Sequence, residues 1–438
     1  MAMPPDPFNA FVSSTENAEI SETSGPLSGL TLAVKDIYAV KGQKTGGGNP
    51  DFLAESPVAE TTAPAVKRLL DSGARYAGRT QCDELVFSLM GQNVHFPNPI
   101  NPAAAGRVTG GSSSGSAAAV AGGLVDIATA SDTGGSVRAP AAFCGLIGLR
   151  TTHGAISLEG TMPLAPSLDT FGWFARDAET YEKVAEVMLG GDALLRLDGG
   201  GARRSRAEGV IGGIPPHPAL RARGESLASP VLRTPIEGRE TWRCLRLAAL
   251  DALILGRTEA TEYARIAGLV AAVLGTPREA PALSQSPDDL YWTFRKLQAF
   301  EAWRVHGAFI ALHGARMGKG VRERFEFGRD LPADTEDVET PKRDAFRAEL
   351  SALLGGDGVL VMPTVPGAAP LSVSTFDQQQ EFREKALRLL CLSGLSGFPQ
   401  ITVPLGEVDG APFGISLLGP AGSDLALVRL ARTIMEVK

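Results

Sequence analysis

Three consecutive serines sit among glycines at Gly110-Gly111-Ser112-Ser113-Ser114-Gly115-Ser116. A second Gly-Gly-Ser follows at Gly134-Gly135-Ser136, with Ser136 24 positions after Ser112. Far upstream, Lys35 lies in the apolar run Leu32-Ala33-Val34-Lys35-Asp36-Ile37. A serine hydroxyl is a weak nucleophile until a neighbouring base takes its proton. Burial disfavours the charged form of a lysine and lowers its pKa, so a lysine in an apolar strand can serve as that base. Together the three pieces point to a serine hydrolase that uses lysine, not histidine.

Each piece alone has a plainer reading. A Gly/Ser stretch is usually a linker, but here a small-residue helix is predicted directly after it, with no charged spacer. Lys35 could be a strand-end lysine paired with Asp36. Gly134-Gly135-Ser136 could be a tight turn, although two glycines before a serine also let the backbone aim several N–H groups at one point, as an oxyanion hole requires. A phosphate-binding loop is excluded, because no Gly-Lys-Ser/Thr follows the glycines. Gly111-Ser112-Ser113-Ser114-Gly115 matches the nucleophile elbow G-x-S-x-G, but that arrangement needs a histidine late in the chain, and none follows His313. The histidines, His95, His153, His217, His306 and His313, form no H-x-H or H-E-x-x-H metal pattern. His306 and His313 share a long predicted helix and read as ordinary helix residues.

The chain of 438 residues is long enough for a large core, and its 44% hydrophobic and 21% charged residues are ordinary for a globular protein. A net charge of −7 offers no basic field, so nucleic acid is not expected as a partner. No stretch of 18 apolar residues is present, and no membrane span is expected. Cys82, Cys144, Cys244 and Cys391 are scattered without C-x-x-C spacing, which argues against zinc and against a disulfide framework. With no basic or apolar leader at Met1-Ala2-Met3-Pro4, a reducing cytoplasm is the expected location.

These residues need elements to position them. Residues 1–28 read as a loose N-terminal arm, and 29–438 as one domain. Leu30–Val40 and Val125–Ala130 are predicted strands, and Ser116–Leu124 is a small-residue helix. Thr62–Gly73 and Asp177–Leu189 are predicted helices, the latter capped by Asp177. Residues 196–243, rich in Arg, Gly and Pro, read as a surface insertion, with an arginine pocket for a carboxylate or a partner as the sharper alternative. Beyond it, Leu245–Leu253 reads as a strand. Helices are expected at Thr258–Leu274 with Thr258 as N-cap, at Asp288–Met317, from Thr340-Pro341 with proline in the first turn, at Glu381–Leu392 and at Asp424–Met435. Strands are expected at Val359–Met362, Gln400–Leu405 and Phe413–Leu418. Alternating strands and helices favour an α/β fold.

The three chemical elements together resemble the amidase signature family. The likeness runs through Ala33-Val34-Lys35-Asp36, through Gly110 to Ala121, and through Ser131-Asp132-Thr133-Gly134-Gly135-Ser136-Val137-Arg138-Ala139-Pro140-Ala141. Within the family the chain looks most like the plant-type amidases that hydrolyse indole-3-acetamide, on strings such as Gly47-Gly48-Asn49-Pro50-Asp51, Thr152-His153-Gly154-Ala155-Ile156-Ser157 and Val361-Met362-Pro363-Thr364. The resemblance implies an α/β amidase signature fold with a mixed central β-sheet covered by helices on both faces. It implies Ser136 as nucleophile, Ser112 as a bridging serine after a cis peptide bond, and Lys35 as general base. The backbone N–H groups of Thr133, Gly134, Gly135 and Ser136 would form the oxyanion hole. Asp132 and Arg138 would be structural pins.

On that basis the expected reaction is hydrolysis of the primary amide of a small aryl or alkyl acid, through an acyl-enzyme, to acid and ammonia. The expected partner is the small-molecule amide alone, with no metal and no cofactor; a homodimer is compatible with this reading. Candidate pocket walls are Phe87, Met90, Asn93, Leu168, Trp303 and Phe398. Alternatives are a urea, carbamate or ester hydrolase with the same triad, a non-catalytic receptor on an amidase fold, and the amidase subunit of a tRNA-dependent amidotransferase.

Overall fold

The computed structural model describes residues 6–13, 16–21, 23–190 and 242–437. The insertion expected over 196–243 lies outside the described residues as far as 241. At its end Arg243 already belongs to a strand.

Eleven strands among the described residues form two adjoining sheets. The first holds β1 (Phe11–Ser13), β2 (Thr31–Lys35), β3 (Arg75–Thr80), β4 (Ile127–Asp132) and β6 (Thr170–Ala175), in the order β1-β3-β2-β4-β6. The second holds β5 (Gly148–Arg150), β7 (Arg243–Arg246), β8 (Arg278–Glu279), β9 (Gly358–Pro363), β10 (Gln400–Val408) and β11 (Ala411–Leu418), in the order β5-β10-β11-β9-β7-β8. Both mix parallel and antiparallel pairs. They meet where β5 runs beside β6. The α/β class and the mixed strand directions are as the sequence predicts.

In the first sheet β2 runs parallel to both β3 and β4. Parallel neighbours bring their C-terminal ends to one edge, where α/β folds gather their functional groups. The register Ala33↔Ala128, carried forward, sets Lys35 beside Ala130 and so next to Ser131. Every residue of β4 and β6 is buried, so their composition shows no in–out alternation.

The helix Ser114–Ala121 packs on β2 and β4 with everything from Ser114 to Val120 buried. Apart from Val120 its side chains are those of alanine, glycine and serine, small enough to let an eight-residue helix come close to the sheet. Such a short helix is held by that packing rather than by its own propensity. Two longer helices, Pro287–His313 and Phe376–Ser396, pack against each other. Each begins with a complete capping box, Ser286 with Asp289 and Thr375 with Gln378.

Several local expectations are corrected. The arm is not loose throughout: Phe11–Ser13 pairs antiparallel with β3, and Ala10 is fully buried. Of Leu245–Leu253 only the start is strand, because Ala248–Asp251 turns into a short helix. The helix of Thr258 begins at Arg257 with Gly256 at the N-cap. The helix expected to reach Met317 ends at His313 and passes into a 3-10 turn, Gly314–Arg316. Pro341 does not start a helix; it lies inside Thr335–Leu354, where Phe346, Leu350 and Leu354 bury one face and hold the helix through the missing N–H.

Candidate active site

Lys35 ends β2 and is fully buried. Its Nζ lies 2.9 Å from Ser112 Oγ, 3.0 Å from Ser113 Oγ and 2.8 Å from Ser131 Oγ. Burial, working against the raising fields of Cys82, Asp83, Asp132 and Asp169, lowers its pKa to about 8. About a tenth of the amine is therefore neutral at pH 7 and about half at pH 8, far more than for a free lysine. Neutral lysine has two N–H bonds and one lone pair, which matches three hydroxyl neighbours. Ser113 settles part of the pattern, because its hydroxyl donates to Ser131 O at 3.3 Å. Ser113 must therefore accept from Lys35.

Ser112 is 1% exposed and follows a cis peptide bond from Gly111. The Asp83 carboxylate crowds Gly111 so closely that a Cβ there would fall 2.1 Å from Asp83 Oδ2. No other residue type fits that position without displacing Asp83. The backbone around it is tied on both sides: Asp83 N donates to Ser112 O at 3.2 Å, and Gly111 N to Leu89 O at 3.0 Å.

Ser136 lies between the end of β4 and the helix Arg138–Cys144 and is 5% exposed. Asp132 shapes this loop from beneath. It accepts from Gly135 N at 2.7 Å and Val137 N at 3.2 Å, from Arg138 Nε at 3.0 Å and Nη2 at 2.9 Å, and from Arg150 Nη1 at 3.2 Å. Burial alone would raise this carboxyl, but the Arg138 and Arg150 guanidiniums hold it well below the usual carboxylate range. Gly135 has φ 120°, and a Cβ there would sit 2.4 Å from Leu390 Cδ1, so glycine is required on both counts. Because the Gly135 N–H is engaged by Asp132, it is withdrawn from the expected set of four oxyanion donors. The N–H groups of Thr133, Gly134 and Ser136 meet no acceptor among the described residues. Thr133 is steadied through its Oγ1, 2.5 Å from Asp169 Oδ1.

A glycine-framed serine loop and a buried lysine joined to a second serine after a cis bond are now in place. The family model for Amidase matches residues 3–196. Amidase 1 of Arabidopsis thaliana is 36% identical over 437 residues, covering 98% of each chain. Amidase 1 of Oryza sativa subsp. japonica is 34% identical, covering 94% of this chain and 91% of its own. The chain belongs to the amidase family. A solved amidase crystal structure superimposes with a TM-score of 0.75 at 27% identity, covering 94% of this chain and 85% of that one. The protein is accordingly an amidohydrolase.

The amidase separates the six candidate pocket walls. Met90, Leu168 and Phe398 belong to one apolar cluster with Leu89, Phe294 and Leu390. That cluster covers the glycine loop: a Cβ on Gly134 would fall 2.6 Å from Phe294 Cζ, and Leu390 presses on Gly135. Phe87 belongs to a different cluster and stacks edge-on with Phe325 at 4.9 Å. Trp303 packs beside that other cluster, under Arg329. Asn93 is a backbone pin whose Nδ2 donates to Gly48 O at 2.8 Å and Cys82 O at 3.1 Å. The site residues absent from the sequence reading are Arg150, Asp83, Asp169, Phe294 and Leu390. All come from segments distant in sequence, and Asp83 and Arg150 carry no local motif. His306 bonds to Pro163 O and His313 to Glu55, away from the serines.

Proposed function

We propose that this amidase hydrolyses the primary amide of a small aryl or alkyl carboxylic acid, of which indole-3-acetamide is one, through an ester on Ser136. The observation that carries this reading is the buried Lys35 amine with Ser112 as one of its three hydroxyl neighbours. Ser113 accepts one N–H and Ser131 can accept the other, leaving the lone pair for the Ser112 proton.

Neutral Lys35 takes the Ser112 proton while Ser112 takes that of Ser136. Ser136 Oγ adds to the amide carbon, and the carbonyl oxygen gains negative charge. The N–H groups of Thr133, Gly134 and Ser136 hold that charge in a site already closed to solvent, where fixed donors are most effective. The relay then returns the proton to the leaving nitrogen, the C–N bond breaks and ammonia departs. Water adds to the ester and gives its proton to the same relay, and the acid leaves as Ser136 is reprotonated. Substrate recognition needs only the small molecule. The four cysteines, all free and buried, support a reducing, cytoplasmic setting.

Ammonia release from a panel of primary amides, with mass spectrometry of the quenched protein, tests this. A mass increase by the acyl group on the peptide bearing Ser136, absent in Ser136→Ala, supports the ester. Turnover with no such adduct and full activity in Ser136→Ala sinks it.

A further inference from the structure

Three arginines from three helices converge beside this site: Arg295 of Pro287–His313, Arg324 of Lys319–Arg329 and Arg383 of Phe376–Ser396. Arg383 is 3% exposed and Arg324 8%. Arg383 Nε and Nη1, Arg324 Nε, and Arg295 Nε and Nη1 are buried without hydrogen-bond partners among the described residues. Arg324 makes one neutral bond, from Nη1 to Phe87 O at 2.9 Å, and Arg295 lies over the Phe327 ring. Burial first, then the neighbouring Arg324 and Arg295, push the Arg383 guanidinium well below its ordinary value. Burial and then Arg295 bring Arg324 down to about 10. An arginine does not give up its proton in a protein, so these shifts express the cost of three crowded cations. Asp83, Glu323 and Glu384 act on the group through space, but none ion-pairs with it among the described residues.

Unpaired buried charge is expensive unless something completes it. The helices show what lies next to the cluster. Arg295 is one turn before Gln298, whose Nε2 comes within 3.3 Å of where a Cβ on Gly134 would sit and whose Oε1 also lacks a partner. Arg383 is two turns before Leu390 on the same face, and Leu390 presses on Gly135. The backbone positions of Arg295 and Arg383 are thus about 5–10 Å along their helix axes from the residues that touch the serine loop.

We infer that Arg295, Arg324 and Arg383 form an anion subsite that holds a carboxylate on the acyl part of the substrate, so that the favoured substrates are half-amides of short dicarboxylic acids. The inference rests on amide hydrolysis at Ser136. A planar guanidinium pairs a carboxylate through two parallel N–H bonds, and a half-amide with two or three methylenes between the reacting amide and the acid can extend its carboxylate from the serine loop toward the cluster.

The test compares kcat/KM for succinamate and glutaramate with that for the neutral butanamide and pentanamide, in the wild type and in Arg383→Gln. The acids should lead their neutral counterparts by tenfold or more, and Arg383→Gln should shrink that lead at least tenfold, mainly through KM. Equal or better use of the neutral amides, with the ratio unmoved in Arg383→Gln, overturns the inference. Hydrolysis of none of them tells instead against amide hydrolysis at Ser136. The subsite is then read separately, by calorimetric titration of the ligand-free protein with glutarate: binding lost in Arg383→Gln supports it, and no binding overturns it. Thermal unfolding guards against a purely structural arginine. Arg383→Met should raise Tm without ligand, by removing an unpaired cation, and should abolish the Tm increase given by glutarate; a lowered Tm with the glutarate response intact counts against the subsite.

Discussion

Lys35 Nζ stands 2.8 Å from Ser131 Oγ, and Lys35 is the hydrogen-bond partner of that hydroxyl among the described residues. Ser131 thus fixes one N–H of the amine while Ser113 fixes the other, which points the lone pair at Ser112. Ser131→Ala removes one acceptor from the ammonium form and leaves the lone pair less well aimed. A hydrogen bond of about 1–2 kcal/mol corresponds to a loss of roughly tenfold in kcat. The midpoint of the pH–rate profile should also move down, because the charged form loses more from the missing acceptor than the neutral form does. An unchanged midpoint with unchanged rate would leave Ser131 without a positioning role.

The relay makes a sharper demand on the two serines. Ser136→Ala should lower ammonia release by about a thousandfold or more, and Ser112→Ala by about a hundred- to ten-thousandfold. Both variants should keep the native circular dichroism spectrum, since neither serine is part of the Asp132 web.

Lys35 sets the pH response. It acts as base only when neutral, and its folded value of about 8 lies below that of a free lysine because burial penalises the ammonium. The neutral fraction rises with pH, so kcat/KM should climb about tenfold per pH unit below 8 and level off above it. Lys35→Arg, which stays protonated, should be inactive across the range. A profile flat from pH 6 to 9 would contradict this assignment.

Asp132 carries the largest structural stake. It is the carboxylate between the buried Arg138 and Arg150 guanidiniums. Asp132→Asn keeps the shape and removes the charge, leaving two buried cations without their anion. The expected loss is about 3–5 kcal/mol of stability, read as a lower urea midpoint at unchanged m-value. Activity should fall as well, since Gly135 and Val137 are held by the same two oxygens.

Which parts of this were legible in the sequence follows from range. Lys35, Ser112 and Ser136 sit in local strings whose glycines and spacing advertise a constrained backbone, so they stand out without a structure. Asp177 as a cap and the strand at β9 are equally local. Arg150 meets Asp132 across the junction of the two sheets, and Leu390 reaches Gly135 from more than 250 residues away, so neither leaves a local trace. Pro341 misleads because proline marks a first helical turn by default, while tertiary packing of Phe346 and Leu350 carries the helix through it. Phe87 and Trp303 mislead for the opposite reason: an aromatic near a motif looks like a wall, yet burial elsewhere claims it. The arginine pocket weighed for 196–243 lies outside the described residues there, whereas an unpaired arginine cluster does occur on three helices whose sequence pattern gives it no emphasis.

The short strand β1 has a practical side. Phe11–Ser13 covers the outer edge of β3, and Ala10 O receives Gln81 N at the base of the helix that follows Ser112. A recombinant version trimmed to begin at residue 29, where the sequence alone would place the boundary, would bare the strand edge at Arg79 and Thr80. Open strand edges recruit other chains, so such a trimmed protein should self-associate and precipitate, and an N-terminal affinity tag is safer joined before Asp6 than fused in place of the residues that follow it.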